Sequence, residues 1–324
     1  MKAAVYREYG PPEVVRIEEL PKPKAGDGEV VVRIVASTLC SADWRLRRAA
    51  PPPMGWALNG FWRPKKIQVL GMEFAGTVDA VGKGVSKFKG GERVFGASWR
   101  FGAHAEYACF AERSLALIPD GVGFSEAAAI PYGGLTALQF LTLAGIKAGQ
   151  NVLVRGASGC VGSASVQIAK HFGARVTGMC SSANVELVRS IGADAVVDYT
   201  HEDFARVGRV YDIVHDAIGG FGYRRARRVL KRGGIFIDAG PGLASLLVGP
   251  WLRLTGRGNV IGTVMKGGRE QLEFLAALVA QKRLKPVIER RYRLAEIVAA
   301  HRHAEAGHKK GNLIIDLALV PAAR

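Results

Sequence analysis

The sequence predicts an α/β chain in which a doubly wound parallel sheet is joined to a second, mostly-β domain. Three observations predict it. The chain has 324 residues, long enough for two domains. Its texture changes near residue 123, from short β-branched runs broken by glycine-rich turns to strands alternating with helices. Within the second texture, NVLVRGASGCVGSASVQIAK at 151–170 sets a glycine-rich turn between a strand and an apolar-periodic helix.

Composition supports a folded chain, since 48% hydrophobic and 23% charged residues supply both a large core and a solvated surface. Gly 41 and Pro 14 show no fixed period, which excludes collagen and low-complexity classes. Cys40, Cys109, Cys160 and Cys180 are far apart and form no CxxC pair. That argues against a disulfide framework or a four-cysteine zinc lobe and favours a reducing compartment. MKAAVYREYG lacks the apolar core of a signal peptide, so the cytoplasm is the expected location. The uncharged run Ala127 to Ile146 contains Pro131, Gly133 and Gly134 and reads as a loop followed by a buried helix, not a membrane span.

In chain order, Val30 to Val35 and Gly76 to Val81 are strand-like, separated from their neighbours by turns at Gly82, Gly84, Gly90 and Gly91. Six further strands begin near Asn151, Ala174, Ala195, Tyr211, Gly234 and Asn259, with helices over Ser163 to Phe172 and Val185 to Ile191 between them. Such alternation specifies βαβ units and a parallel sheet covered on both faces. A helix over Arg269 to Gln281 precedes a β-rich tail ending NLIIDLAL, which is expected to rejoin the first domain. The expected domains are therefore 1–122 with 286–324, and 123–285. PPPMGWALNGFWRPKK at 51–66 and LASLLVGPWLRLTGRG at 243–258 read as loops with capped helices packed on the core. The sharper alternative is that they cap an apolar substrate or touch a membrane surface.

The turn at 156–162 carries the first functional signal. Gly159 lets backbone approach a pyrophosphate, Gly162 lets the helix pack close to the strand, and the helix N-terminus offers amides and a positive dipole. Ala157 occupies the slot of the motif's first glycine, with Gly156 one place earlier. At the end of the next strand the chain reads Thr177-Gly-Met-Cys-Ser181-Ser182-Ala-Asn184, without the carboxylate that grips an adenosine ribose and selects NAD. Two hydroxyls there favour NADP(H), although Ala183 stands where a basic residue would help.

With these residues in view, the chain resembles the medium-chain dehydrogenase/reductase superfamily and, within it, the zinc-independent quinone oxidoreductase and enone reductase branch. The resemblance runs nearly end to end, through MKAAVYREYG, LGMEFAGTVDAVGKGVSKFKGGERVFG, AAAIPYGGLTALQFL, VRGASGCVGSASVQIAK, VRSIGADAVVDY and KKGNLIIDL. It implies a Rossmann domain and a GroES-like mostly-β domain with the active site in the cleft between them. It also implies NADPH, a quinone or conjugated-carbonyl substrate, and a homodimer. Carried over position by position, it places Gly156, Ser158, Gly159, Val161 and Gly162 at the dinucleotide. Ser181 and Ser182 fall at the ribose phosphate, Tyr199 near the adenosine, and Thr136 at the nicotinamide. Ala217, Ile218 and Gly219, then Gly240, Pro241 and Gly242, close the fourth and fifth strands at the nicotinamide half.

Zinc-dependent relatives hold their metal with a Cys and with a His in a Gly-His-Glu run. Here CSAD keeps Cys40 and Asp43, but GMEF puts Met72 in the histidine slot, and a thioether with a single thiolate is a poor zinc set. His301, His303 and His308 read as a solvated face, and His104 as a packed or surface residue. Without a metal, reduction of an enone or quinone needs a hydrogen-bond donor for the charge that grows on oxygen. Tyr132, just ahead of a Gly133-Gly134 turn, is one candidate, and Cys40 and Arg45 are others, standing where relatives carry Asn and Tyr. The bland alternatives are a buried small residue for Cys40, a structural hydrogen bond for Asp43 and a solvated Arg45.

The 45 Lys and Arg against 28 Asp and Glu give a net charge of +17, and the strongest basic run is YRRARRVLKRGG at 223–234, on a predicted short helix. No nucleic-acid motif accompanies the charge. A solvated surface accounts for it, and peripheral contact with an anionic membrane is the alternative. Three functions therefore compete: an NADPH-dependent quinone or enone reductase, an NADPH-binding protein acting through membrane or RNA, and a zinc-free alcohol or aldehyde oxidoreductase.

Overall fold

The computed structural model describes residues 1–202, 204, 210–240 and 258–317. The chain divides into two compact units, Met1–Tyr132 with Gly268–Ala280 and Ile288–Arg324, and Gly133–Gly267 with Gln281–Val287. The first seam thus falls at 132/133 where composition pointed to 122/123, and the helix near 270 goes with the first unit.

The first unit opens with β1 (Lys2–Tyr6) and β2 (Val15–Glu19), an antiparallel pair of its own. Then follow β3 (Glu29–Thr38), α1 (Ser41–Arg47), α2 (Pro52–Asn59), β4 (Glu73–Val81), β5 (Arg93–Ala97), β6 (Tyr107–Ala111), β7 (Leu115–Leu117) and α3 (Phe124–Ala128). The β-branched run of β3 pairs antiparallel with β4 and β6, burying Val30, Val31, Val32 and Ile34. Phe74 of β4 stacks on Phe110 of β6 with ring centroids 3.7 Å apart. The stretch 51–66 forms α2 and a loop. Asn59 at the helix end is buried, donating to the Tyr6 hydroxyl and Ile67 carbonyl and accepting the Lys66 and Ile67 amides. Beyond it Trp62 stays 85% exposed.

Next come α4 (Pro131–Leu143) and the second unit's strands and helices: β8 (Asn151–Arg155), α5 (Cys160–His171), β9 (Arg175–Cys180), α6 (Val185–Ser190), β10 (Ala195–Asp198), β11 (Tyr211–Asp216), α7 (Tyr223–Ala226), β12 (Leu230–Asp238) and β13 (Asn259–Ile261). All six strands expected from the sequence are present. They pair in parallel in the order β10-β9-β8-β11-β12-β13. The order reverses between β8 and β11, and the carboxyl ends of those strands are where such a sheet binds ligands. Two local expectations fail. Gly133 and Gly134 form no turn but lie inside α4, and glycine at 133 lets that helix approach the Cys160 carbonyl, which an added Cβ would meet at 2.7 Å. The basic run is helical for one turn only, since Leu230 is needed in the core and takes Lys231 and Arg232 into β12. The stretch 243–258 lies outside the described residues except for Gly258.

The chain then returns to the first unit with α8 (Arg269–Ala280), β14 (Ile288–Arg293), α9 (Ile297–Glu305) and β15 (Asn312–Asp316). β15 pairs with β3 and β14, completing a seven-stranded sheet ordered β14-β15-β3-β4-β5-β7 with β6 on β3. His301 of α9 is not on a solvated face. It is buried edge-on to the His104 ring at 6.3 Å, and burial holds it well below the ordinary histidine range. His104 is packed, its Nε2 bonded to the Thr38 carbonyl at 2.9 Å.

Candidate active site

The glycine turn after β8 has the form a phosphate cradle needs. Gly156 takes φ +74°, a conformation that its neighbours in the motif need not adopt. A Cβ at Gly162 would fall 2.0 Å from the Gly156 carbonyl, so only glycine lets α5 start this close to the strand end. Gly159 precedes α5 without a side-chain cap, and the first-turn amides of Val161 and Gly162 have no intrahelical acceptor. Ala157 is fully buried beneath the turn, and Ser158 is half-buried on it. These groups fit a pyrophosphate, as the fingerprint requires.

The segment after β11 meets the same turn, and the end of β12 meets that segment. A side chain at Gly156 would strike Ile218 at 2.4 Å, and Gly219 lies against Gly240, where an added Cβ would be 2.9 Å from the Gly240 carbonyl. Ala217 donates its amide to the Arg155 carbonyl, extending the sheet by one bond. The structure therefore brings Gly156, Ile218, Gly219 and Gly240 together, while Pro241 and Gly242 lie outside the described residues. Thr136 is buried on α4.

A residue that the sequence did not single out holds this arrangement. Asp216, fully buried at the end of β11, accepts the amides of Ile218 (3.2 Å), Gly219 (3.1 Å) and Phe221 (2.8 Å). Arg155 at the end of β8 pairs with it at 2.7 Å and donates to the Gly219 carbonyl at 3.1 Å. Its guanidinium also lies 5.2 Å from the Phe221 ring centroid. A signal existed: Arg155 and Asp216 end adjacent parallel strands.

The hydroxyls expected at a ribose phosphate sit after β9. The Ser181 hydroxyl accepts from the Asn184 side-chain amide at 3.2 Å. Ser182 donates to Asp198 at 2.5 Å and lies 2.8 Å from the Thr200 hydroxyl. Asp198 ends β10 and also accepts the Thr200 hydroxyl (2.6 Å) and amide (3.0 Å). Those hydroxyl bonds hold its carboxyl down at about 2. Tyr199 is exposed, its amide on the Cys180 carbonyl at 3.2 Å. The end of β9 itself lacks a carboxylate, but the neighbouring strand supplies one.

In the first unit, the Tyr132 hydroxyl meets Ser41 at 3.0 Å. The Tyr132 amide donates at 2.7 Å to Glu73, a fully buried carboxyl that also takes the Thr38 hydroxyl. Burial, and secondarily the charge of Asp43, pushes Glu73 up to about 7 against the pull of its two donors. Cys40 is buried, and burial raises its thiol well above the ordinary value. Asp43 makes the structural bonds expected of it, accepting the Cys40 and Gly71 amides at 2.8 Å each. Arg45 is exposed and lies over the Trp44 ring at 5.5 Å, so Ser41, and not Arg45, is the side chain brought to Tyr132.

This donor set does not fit zinc. Both Asp43 oxygens are taken by amides, both Glu73 oxygens have donors, Cys40 is held as a thiol, and Met72 is a fully buried thioether. Among the described residues no three His, Cys, Asp or Glu side chains are grouped to hold a metal ion.

Residues 26–139 match the alcohol dehydrogenase GroES-like domain family, and residues 191–315 match the zinc-binding dehydrogenase family. The chain is 31% identical over 331 residues to the chloroplast envelope quinone oxidoreductase homolog of Arabidopsis thaliana, covering 98% of each. It is 30% identical to the NADPH-dependent alkenal/one oxidoreductase, chloroplastic, of the same plant, covering 97% of this chain and 79% of that one. Its fold matches the crystal structure of Escherichia coli quinone oxidoreductase complexed with NADPH, with a TM-score of 0.83 and 25% identity over 98% of this chain and 100% of that one.

Proposed function

We infer the function from one premise: the chain belongs to the medium-chain dehydrogenase/reductase superfamily, in its zinc-independent quinone oxidoreductase and enone reductase branch. It is an NADPH-dependent oxidoreductase that reduces a quinone or the C=C bond of an α,β-unsaturated carbonyl. The observation that carries this is the cradle at the switch point, where the glycine turn after β8 meets Ile218, Gly219 and Gly240. When bound there, NADPH supplies the hydride. Gly156, Gly159 and Gly162 keep side chains out of the pyrophosphate's path, and the amides of Val161 and Gly162 receive it. Asp216 and Arg155 fix the two loops at the nicotinamide half, with Ala217, Ile218 and Gly219 lining it. Ser181 and Tyr199 take the adenosine ribose end.

For the acceptor, we assign the donor role to the Tyr132 hydroxyl. It hydrogen-bonds the carbonyl oxygen as negative charge gathers there, and Ser41 Oγ, 3.0 Å from the Tyr132 hydroxyl, orients it. Cys40 contributes packing, because its thiol is buried. The test is NADPH consumption, with NADH in parallel, against one quinone, one linear enone and one saturated aldehyde in the presence of a chelator. Turnover of the quinone or enone supports the assignment. Turnover of the aldehyde alone would replace it with a carbonyl oxidoreductase.

A second reading has one observation in its favour. Arg224, Arg225, Arg227, Arg228 and Arg232 are exposed, and none has an ion-pair partner among the described residues. Such a patch favours anionic partners, and salt-sensitive association with anionic vesicles without turnover would favour it over the reductase. We also propose a homodimer in a reducing cytoplasm, consistent with four free cysteines and testable by light scattering and cell fractionation. No helix among the described residues is long and apolar enough to cross a membrane.

A further inference from the structure

The contacts after β9 point beyond the choice of NADPH to what limits that choice. Each serine or threonine hydroxyl carries one hydrogen. Ser182 directs its hydrogen to one oxygen of Asp198, at 2.5 Å, and Thr200 directs its own to the other, at 2.6 Å. Ser182 therefore presents only lone pairs outward. It can accept from a ribose 2′-hydroxyl but has no hydrogen left for a phosphate oxygen. Ser181 differs, because it accepts from Asn184 and keeps its own hydrogen to donate. The segment Ser181 to Asn184 carries no cation, and Arg189 one turn further on pairs with Glu186 at 3.3 Å. The charge of His201 also draws the Asp198 carboxyl down.

We propose that Asp198 sets how strongly this chain discriminates between NADPH and NADH, by withholding the Ser182 hydrogen and placing a carboxylate at the ribose end of the site. The proposal rests on the dinucleotide assignment above and deepens it. A 2′-phosphate carries close to two negative charges near neutral pH, and a carboxylate beside it opposes binding even in a solvated site. An unphosphorylated ribose meets an acceptor instead. The chain thus keeps NADPH as its cofactor with a weaker hold on the phosphate than two free serines would give. Replacing Asp198 by Asn removes the charge, and the Asn side-chain amide can donate to Ser182, freeing its hydroxyl hydrogen.

The test is direct binding, independent of any substrate. Dissociation constants for NADPH and for NADH are measured by calorimetric titration of the whole chain, for the wild type, Asp198→Asn and Ser182→Ala. Asp198→Asn is expected to tighten NADPH about tenfold, with NADH changed less than about twofold. Ser182→Ala is expected to leave NADPH within about twofold, because that hydroxyl does not donate to the phosphate. Equal changes for both cofactors in Asp198→Asn, or no change, would overturn the proposal and leave the dinucleotide site standing. So would a tenfold loss of NADPH alone in Ser182→Ala, which stands as the deciding variant if Asp198→Asn does not fold. A wild type that binds neither cofactor would overturn both the site and the proposal.

Discussion

Glu73 gives a prediction whose size follows from its surroundings. The carboxyl is fully buried, takes hydrogen bonds from the Thr38 hydroxyl and the Tyr132 amide, and is raised from an ordinary 4.5 to about 7 by burial. An acid raised in this way binds its proton more tightly folded than unfolded. Its contribution to stability is complete below about pH 4.5 and is lost as the pH climbs through about 7. At about 1.36 kcal/mol per pH unit, the full displacement is worth about 3 kcal/mol. Glu73→Gln removes the titration and leaves every other ionisable group in place. The difference in unfolding free energy between wild type and variant should therefore move by about 3 kcal/mol in favour of the variant between about pH 4.5 and about pH 8. Urea unfolding followed by tryptophan fluorescence reports mainly on the right unit, because four of the five tryptophans, Trp44, Trp56, Trp62 and Trp99, lie in it. A difference that stays constant within about 1 kcal/mol across that range refutes the claim that Glu73 titrates near neutrality.

Three further outcomes follow from contacts already described. Tyr132→Phe removes the donor at the acceptor carbonyl and should lower kcat about 100-fold while leaving NADPH affinity within about twofold; an unchanged kcat would take Tyr132 out of the chemistry. Gly162→Ala places a methyl group 2.0 Å from the Gly156 carbonyl and should cost about 1–3 kcal/mol of stability, together with most NADPH binding, both read by thermal melts with and without cofactor. Asp216→Ala leaves Arg155 without its ion-pair partner and three amides without their acceptor, and should destabilise the protein by about 3 kcal/mol in chemical denaturation, with a loss under about 1 kcal/mol counting against its role as the loop anchor.

The sequence carried the parallel sheet clearly because each of its strands is a short apolar run bounded by turn residues, and the glycine turn lies between two strong periodic signals. Local spacing also located the hydroxyls at 181 and 182. What it did not carry are partners that arrive from another strand. Asp198 sits next to Ser182 through the pairing of β10 with β9, and Glu73 reaches Thr38 and the Tyr132 amide from β4. Neither juxtaposition is encoded in a window of a few residues. The Gly133-Gly134 pair misled for a related reason: glycine doublets punctuate turns, but here small residues let α4 approach α5. His301 lies on a helix rich in charge, and only the packing of α9 shows that its face turns inward.

The pairing of β3 with β15 also has a consequence for biosynthesis. Thr38, Ser37 and Ala36 find their neighbours at Ile314, Ile315 and Asp316, nearly the whole length of the chain away. As the polypeptide leaves the ribosome, the parallel sheet built from residues 151–261 can close while that end of β3 still has one bare side. Until β15 emerges, the Ala36-Ser37-Thr38 end of β3 is an unsatisfied strand edge, the kind of surface that seeds association between chains. Completion of the first unit's sheet therefore waits on synthesis of residues 312–316. Shortening the chain ahead of residue 312 should leave the parallel sheet folded and the seven-stranded sheet without β15.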